Sequence, residues 1–511
     1  MPKQVSALEL SLAARPAGCT LVRWLYEELR HAILEGRLRR GARLPASRDF
    51  ARQYGVSRGT VMAAFTQLQA EGYLTSRVGA GTRVSGRLPE DWLPGRAHGQ
   101  RPAPIATRTP SAAGPPGADR PGRSPASAVR LARPFEPNEP ALLEFPMTLW
   151  AQVASRRLRR ASPGLLAGGD AQGYRPLRVA VADYLGTSRG VRCVPEQVII
   201  TTGVQQGLDL VARAFLRPGE AVWVEDPGYP GAMAAFRHAG LRLAPVSVDG
   251  EGLDVAAGKR LWPEARAVYV TPAHQFPLGA TLSLERRLAL LAWASEHGAL
   301  ILEDDYDSEF RFAGRPTPAL QGLDRAGRSV VLLGSFNKAL FPSLRLGYLV
   351  LPPAWVEPLA AYRFEVDRYT PTLNQAILAD FITEGHFGRH LRRMRELYGE
   401  RLQTLQDETA RHLAGLLEIP PIQAGLNTAA RLGPGLRALT SGQAQGAAAA
   451  LEVEAIALDR FCLERPDPRG LLLGFAAFRP QEIREGIGRL ASALQRAAER
   501  HAGSSKDAVN R

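Results

Sequence analysis

The chain spends its positive charge almost entirely as arginine. Of its 64 lysine and arginine residues only Lys3, Lys259, Lys338 and Lys506 are lysines. A guanidinium cannot condense with a carbonyl, whereas a primary amine can form a Schiff base. Lys3 and Lys506 lie near the ends and Lys259 sits in a polar stretch, so a solvated surface role suffices for those three. Lys338 follows the apolar run VVLLGSF, at the end of an expected strand, where the loops of an open α/β sheet build binding sites. A lysine there has two readings when taken alone, a structural cation or a carbonyl-trapping amine.

Its neighbours favour the second. Glu303-Asp304-Asp305-Tyr306 closes another buried run and brings carboxylates and a phenol to a strand end. A pyridoxal ring requires a carboxylate beside its nitrogen to stay protonated as an electron sink. Ser335 and Arg345 flank Lys338 and suit a phosphate, through a hydroxyl and a bidentate guanidinium. Gly203-Val204-Gln205-Gln206 joins a strand to a helix whose first amides suit an anion. Tyr229, in EDPGY, is placed to stack on a ring. Each feature has a plainer reading, such as a charged strand end or a core aromatic, but they recur at successive strand ends.

The elements that must position these residues follow from hydrophobic patterning. Short apolar runs at Val198–Thr201, Ala221–Glu225, Ala267–Thr271, Ala299–Glu303 and Val330–Leu333 alternate with amphipathic segments such as Gln205–Leu216 and Leu284–Glu296. That alternation predicts a mainly parallel sheet with helices on both faces, an α/β domain. From about Pro371 the pattern becomes mostly helical, and Leu471–Phe475 adds a late strand, so a smaller α+β part follows.

Ahead of this domain, residues 20–86 read as three helices and a hairpin. The first helix covers roughly Leu21–Leu34; the second starts at Pro45-Ala46-Ser47 with Ser47 as its cap; the third starts after Ser57. Val61, Ala64, Phe65 and Leu68 fall at i, i+3, i+4 and i+7 and form one buried stripe, leaving Arg58 and Thr60 at the start of the opposite face. Gly79 and Gly81, among arginines and β-branched residues, suit a tight hairpin able to approach a phosphate backbone. The net charge of +14 is concentrated here: residues 20–87 carry twelve arginines against five acidic residues. So local an excess suits phosphates. Residues 87–134 are rich in Pro, Gly, Ala, Ser and Arg and poor in large apolar side chains, the composition of a flexible linker.

The remaining composition excludes other classes. Cys19, Cys193 and Cys462 are odd in number and far apart, giving neither a disulfide framework nor metal spacing. No signal-like N-terminus or membrane-length apolar run is present, so a cytoplasmic protein is expected.

The run LPASRDFARQYGVSRGTVMAAFTQLQAEGYLTSRVGAGTRV closely resembles the winged helix-turn-helix of GntR-type regulators. That resemblance implies contacts with a double-stranded DNA operator from Arg48, Ser57, Arg58, Thr60 and the wing residues Gly79, Gly81 and Thr82. Gly59 departs from it, standing where relatives more often carry a polar residue. The segments TTGVQQGLDL, VEDPGYPGA, TPAHQFPLG, LEDDYDSEFRF, GSFNKAL and LRLGYLVLP resemble fold-type I aminotransferases. Their order and wording resemble specifically the MocR-type regulators, which join such a domain to a GntR head.

The resemblance implies pyridoxal 5'-phosphate as cofactor. Lys338 would form the Schiff base, Asp304 would pair with the ring nitrogen, Tyr306 would bond the ring oxygen and Tyr229 would stack. Val204, Gln205, Ser335 and Arg345 would hold the phosphate, with His274 and Gln275 near the ring. The implied boundaries are 20–86 for the head, 87–134 for the linker, 135–500 for the aminotransferase-like domain (large part about 135–370, small part about 371–500) and 501–511 for a tail. A homodimer is implied, with a small amine or amino acid as a further effector.

Asn337 stands where relatives usually have Ser, and Leu278 where they have Thr. Leu472 stands in place of an arginine that clamps the substrate carboxylate, and Gly231 in place of a second arginine used by amino-acid-sensing relatives. Three readings remain open at this point: a cofactor- or amine-responsive regulator, a working aminotransferase with a DNA-binding head, and a regulator whose cofactor domain is inactive.

Overall fold

A computed structural model describes residues 10, 12–16, 18–77, 81–88, 132–314, 318–464 and 468–509. The chain divides into two compact units, Met1–Pro116 and Gly117–Arg511.

In the first unit, α1 (Leu21–Leu34), α2 (Ser47–Gln53) and α3 (Arg58–Ala70) precede the antiparallel strands β1 (Leu74–Arg77) and β2 (Gly81–Val84). Val61, Ala64, Phe65 and Leu68 are buried against Leu25, Leu29 and Phe50, so the i, i+3, i+4 stripe forms this unit's core. Ser57 caps α3, its Oγ accepting from Thr60 N over 3.0 Å. The expected cap at Ser47 is not formed. Ser47 is already the first helical residue, the cap position falls to Ala46, and Asp49 supplies the negative charge in the first turn. Residues 41–44 extend the hairpin, with Leu44 N donating to Thr82 O over 2.9 Å and Arg43 bridging Arg83.

In the second unit, eight strands form one sheet: β3 (Val198–Thr201), β4 (Ala221–Asp226), β5 (Arg242–Asp249), β6 (Gly252–Leu253), β7 (Ala267–Val270), β8 (Leu300–Asp305), β9 (Val330–Ser335) and β10 (Gly347–Val350). The order is β3-β10-β9-β8-β7-β4-β5-β6. Strands β9, β8, β7, β4 and β5 are mutually parallel; β10 runs against both β9 and β3, and β6 against β5. The expected parallel core is present, with β10 as an antiparallel insertion that the patterning did not predict. The alternation also missed β5. Pro245 lies inside it and its burial alternates, unlike the fully buried runs of β3, β4, β7 and β8.

After β10 come the helices Pro353–Val366, Thr372–Thr383 and His386–His412, then a four-stranded antiparallel sheet. Its strands are β11 (Leu417–Glu418), β12 (Asn427–Leu432), β13 (Ile456–Ala457) and β14 (Gly470–Gly474), in the order β11-β12-β14-β13. These helices and this sheet are the smaller α+β part, and β14 is the late strand expected at Leu471–Phe475.

Candidate functional site

Parallel strands deliver their following loops to one edge of a sheet. The C-terminal ends of β4, β7, β8 and β9 therefore share a rim. Because β10 is antiparallel, its beginning lies there too, with Gly347 opposite both Ser335 and Thr201. Along this rim is a cavity of about 370 Å³, within the range of small-molecule sites. Its lining includes Lys338, Asp304, Tyr306, Tyr229, Ser335, Arg345, Val204 and Gln205, so the structure brings eight of the ten expected residues together. His274 and Gln275, expected beside the ring, do not line it. His274 lies behind Tyr306, and buried Gln275 donates to Pro227 O over 2.9 Å and to Glu225 Oε2 over 3.2 Å.

Strand alternation sorts the acidic triplet. Glu303 accepts from the amides of Leu320 and Gln321 at 2.7 and 2.8 Å, and Asp305 pairs with buried Arg189 at 2.7 Å. Asp304 faces the other way, and it alone of the three lines the cavity. Its Oδ2 accepts from Tyr269 Oη over 2.6 Å, while Oδ1 is buried with no protein partner. Burial raises this carboxyl to about 7; the Tyr269 bond opposes the shift, and Asp305, Asp307 and Glu225 reinforce it. Glu225, held by Thr271 and Gln275, is likewise raised to about 7 by burial.

Lys338 donates to the carbonyl of Asn138, 200 residues earlier, and burial lowers its pKa, favouring the nucleophilic neutral amine. Asn138 is clamped in turn by Asn427 through reciprocal amide bonds of 2.6 and 2.9 Å. Among the described residues, Lys338 and Arg345 are the only cations lining the cavity. Arg345 holds a left-handed backbone (φ 51°), a strained geometry for a side-chain-bearing residue. Gly203, at φ 134°, caps the helix Val204–Phe215, and a Cβ there would lie 3.7 Å from the Arg345 guanidinium and 3.6 Å from Asn337 Nδ2. Free helix amides, a guanidinium and an amide thus converge on one cradle suited to an anion. Asn337 also has a buried Oδ1 without a partner.

Two departures have a structural reading. Leu472 is buried with Phe276, Ala429, Leu458 and Phe461 in an apolar cluster against Tyr229 and Tyr306. At position 231 any Cβ would lie 2.4 Å from the Tyr229 ring, so the glycine leaves room for that ring.

Sequence reasoning missed Asn138, Tyr269, Thr271, Phe276 and Pro342 as lining residues. Tyr269 carried a usable signal, since it alternates with Val268 and Val270 within β7 and so lies on the opposite face of the sheet. Nothing local tied Asn138 to Lys338.

In the first unit, Arg48, Ser57, Arg58 and Gly81 are exposed and Thr82 is half-buried. Thr60, expected to be free, is buried with its Oγ1 2.8 Å from Ser57 Oγ. Gly79 lies outside the described residues. Arg43, unremarked in the sequence, is exposed and packs over Gly81, its Nε 3.1 Å from where a Cβ would stand.

The family described as aminotransferase class I and II matches residues 135–431, and bacterial regulatory proteins of the gntR family match residues 21–84. Among solved structures, an α-aminoadipate aminotransferase of Thermus thermophilus, complexed with N-(5'-phosphopyridoxyl)-L-leucine, superposes with a TM-score of 0.64. It is 32% identical and covers 71% of this chain and 92% of its own. The second unit is therefore an aminotransferase domain of fold-type I, and the chain belongs to the class I and II family. A probable rhizopine catabolism regulatory protein MocR of Rhizobium meliloti is 42% identical over 94% of this chain and 95% of its own. The pyridoxine biosynthesis regulator PdxR of Corynebacterium glutamicum is 33% identical over 79% of this chain and 81% of its own. With its GntR head, the chain is a MocR-type transcription regulator.

The cofactor that this family implies is pyridoxal phosphate, and the cavity fits it. The unpartnered Oδ1 of Asp304 suits a ring nitrogen, the amine of Lys338 an aldehyde, and the Gly203–Arg345 cradle a phosphate. Among the described residues no group of acidic, His or Cys side chains could hold a metal, and no helix is long and apolar enough to cross a membrane.

Proposed function

We propose that this regulator binds pyridoxal phosphate through Lys338 and that occupancy of the cavity, with or without a small amine, governs how the head engages operator DNA. The observation that carries the reading is the buried, unpartnered Oδ1 of Asp304 in a cavity that also holds Lys338 and an anion cradle. Pyridoxal phosphate, when bound, supplies an aldehyde and an electron-withdrawing ring. The protein's part is to bind and orient it. Asp304 would hold the ring nitrogen, Tyr229 a ring face, Tyr306 the ring oxygen, and Val204, Gln205, Ser335 and Arg345 the phosphate. In the head, Arg48, Ser57, Arg58, Gly79, Gly81 and Thr82 would meet the operator. Residues 20–86 form the head in this reading, 87–134 the linker, 135–500 the cofactor domain and 501–511 a tail. A homodimer would present two heads to two half-sites, in the cytoplasm.

Coupling requires that the ligand bind two arrangements of the protein with different affinity. Titration of the cofactor-free protein with pyridoxal phosphate tests the binding step. A visible absorbance band that borohydride fixes onto Lys338 is expected, and no band in Lys338→Ala. A wild-type protein that gives no band overturns the reading.

Transamination is the second reading, favoured by the Lys338, Asp304 and Tyr306 set in one cavity. Against it, Leu472 presents an apolar cluster where a carboxylate clamp would be needed. Sustained turnover with amino donors and keto acids would establish it.

A further inference from the structure

Three aromatic rings, those of Tyr229, Phe276 and Tyr306, form one wall of the cavity. Phe276 stands edge-on to both tyrosines, at centroid distances of 6.0 and 6.1 Å and interplanar angles of 89° and 86°. Phe461 lies behind Phe276, 5.2 Å away and also edge-on. The small sheet backs the same wall. Ala429 and Ile456 are the cross-strand neighbours of Leu472 on the two sides of β14, so adjacent strands present one apolar row. Leu471 and Leu473, which alternate with Leu472, pack into the main core instead.

What the cavity lacks, among the described residues, is a spare cation. Lys338 and Arg345 are committed to the aldehyde and the phosphate in the pyridoxal phosphate reading, on which this inference rests. His274 lies outside the lining and faces Asp307 at 2.9 Å. Neutral donors on the rim are engaged as well. Thr271 gives its hydroxyl hydrogen to Glu225, Tyr269 gives its own to Asp304, and the backbone N–H of Asn138 goes to Asn427. The charges that act on Lys338, those of Glu139 and Asp307, are both negative, and Asp304 lines the cavity itself. An incoming ammonium group is attracted by such a field. A carboxylate would be repelled by it and left unpaired against aromatic carbon.

We propose that the cofactor-loaded cavity takes a primary amine with a short apolar chain and no carboxylate. The amine stands beside Lys338 and the chain lies along Phe276. An α-amino acid is refused for its charge rather than its size.

The experiment is calorimetric titration of the full-length protein loaded with pyridoxal phosphate and freed of excess cofactor. Leucine and 3-methylbutylamine share an amine and a chain and differ only in the carboxylate. The amine is expected to bind roughly ten- to a hundredfold more tightly than leucine, the cost of leaving a charged group unsatisfied. Along the series ethylamine, propylamine and butylamine, the Kd is expected to fall about three- to fourfold for each methylene buried against the wall. Phe276→Ala is expected to flatten that series and to keep the preference for 3-methylbutylamine over leucine. The wild-type series and the matched pair decide the matter even if that variant does not fold.

Leucine bound as tightly as 3-methylbutylamine overturns the proposal. So does a wild-type Kd that does not fall with chain length, or a series that Phe276→Ala leaves as steep. A wild-type protein that takes up no chromophore overturns the cofactor reading and this proposal with it. A loaded protein that binds none of the amines, or binds them without discrimination, overturns this proposal alone.

Discussion

Tyr269 gives its phenolic hydrogen to Oδ2 of Asp304 across 2.6 Å and leaves Oδ1 of the same buried carboxylate unpaired at the cavity wall. The tyrosine fixes the orientation of the acid without satisfying it. A buried polar atom left unpaired is costly, and here it stands where a cationic ring nitrogen would be bound.

Asp304 therefore links pH to stability in the cofactor-free protein. Its carboxyl is raised from 3.8 to about 7, so the folded state keeps a proton that the unfolded chain has lost. Stability is then greatest below the unfolded pKa and declines as pH rises from about 4 to about 7. Asp304→Asn should flatten part of that decline in denaturation midpoints taken across the window. Glu225 and Glu309, each raised to about 7, should retain the rest. The same variant should weaken pyridoxal phosphate binding roughly ten- to a hundredfold, the worth of one charge-assisted hydrogen bond.

Arg345 shares the anion cradle with Gly203. Arg345→Gln should raise the Kd for pyridoxal phosphate by roughly ten- to a hundredfold and leave the Kd for pyridoxal, which lacks the phosphate, nearly unchanged. Equilibrium absorbance titration of the two ligands measures the difference.

Gly203 itself stands at φ 134°, a backbone region almost confined to glycine. Gly203→Ala should cost about 1–3 kcal/mol of stability in the second unit, although its Cβ meets nothing closer than 3.6 Å. Thermal denaturation with and without cofactor would show the loss in both states.

The head separates fold from contact. Ser57→Ala removes the cap of α3 and should lower the head's stability by about 1 kcal/mol. Arg58 is exposed, so Arg58→Ala should leave stability unchanged, weaken operator binding and, if it meets a phosphate, reduce the salt dependence of the affinity by about one counterion. Binding isotherms at several salt concentrations, beside melting curves, distinguish the two variants.

Much of this was legible in sequence because local rules and the fold agree. The run Val330–Leu333 lies in a strand that ends at Ser335, three residues before Lys338, and the stripe from Val61 to Leu68 is in the core of the head. What was missed depends on distant pairing. Asn138 reaches Lys338 across 200 residues, and β10 is a short fully buried run whose antiparallel direction no local pattern encodes. Thr60 was misplaced because a residue three after the cap was counted by helix face alone, whereas Ser57 Oγ holds its amide and its hydroxyl together. His274 was placed near the ring by resemblance; its actual partners, Asp307 and Tyr306, lie more than thirty positions further along the chain.

The central claim is that the state of Lys338 is communicated to DNA. Footprinting of full-length protein on its own upstream region, with and without pyridoxal phosphate, tests it most directly when Lys338→Ala is run alongside. The account predicts that pyridoxal phosphate alters the wild-type footprint and leaves the Lys338→Ala footprint at its cofactor-free pattern. A wild-type footprint indifferent to the cofactor, or an alanine variant that responds as the wild type does, would contradict it.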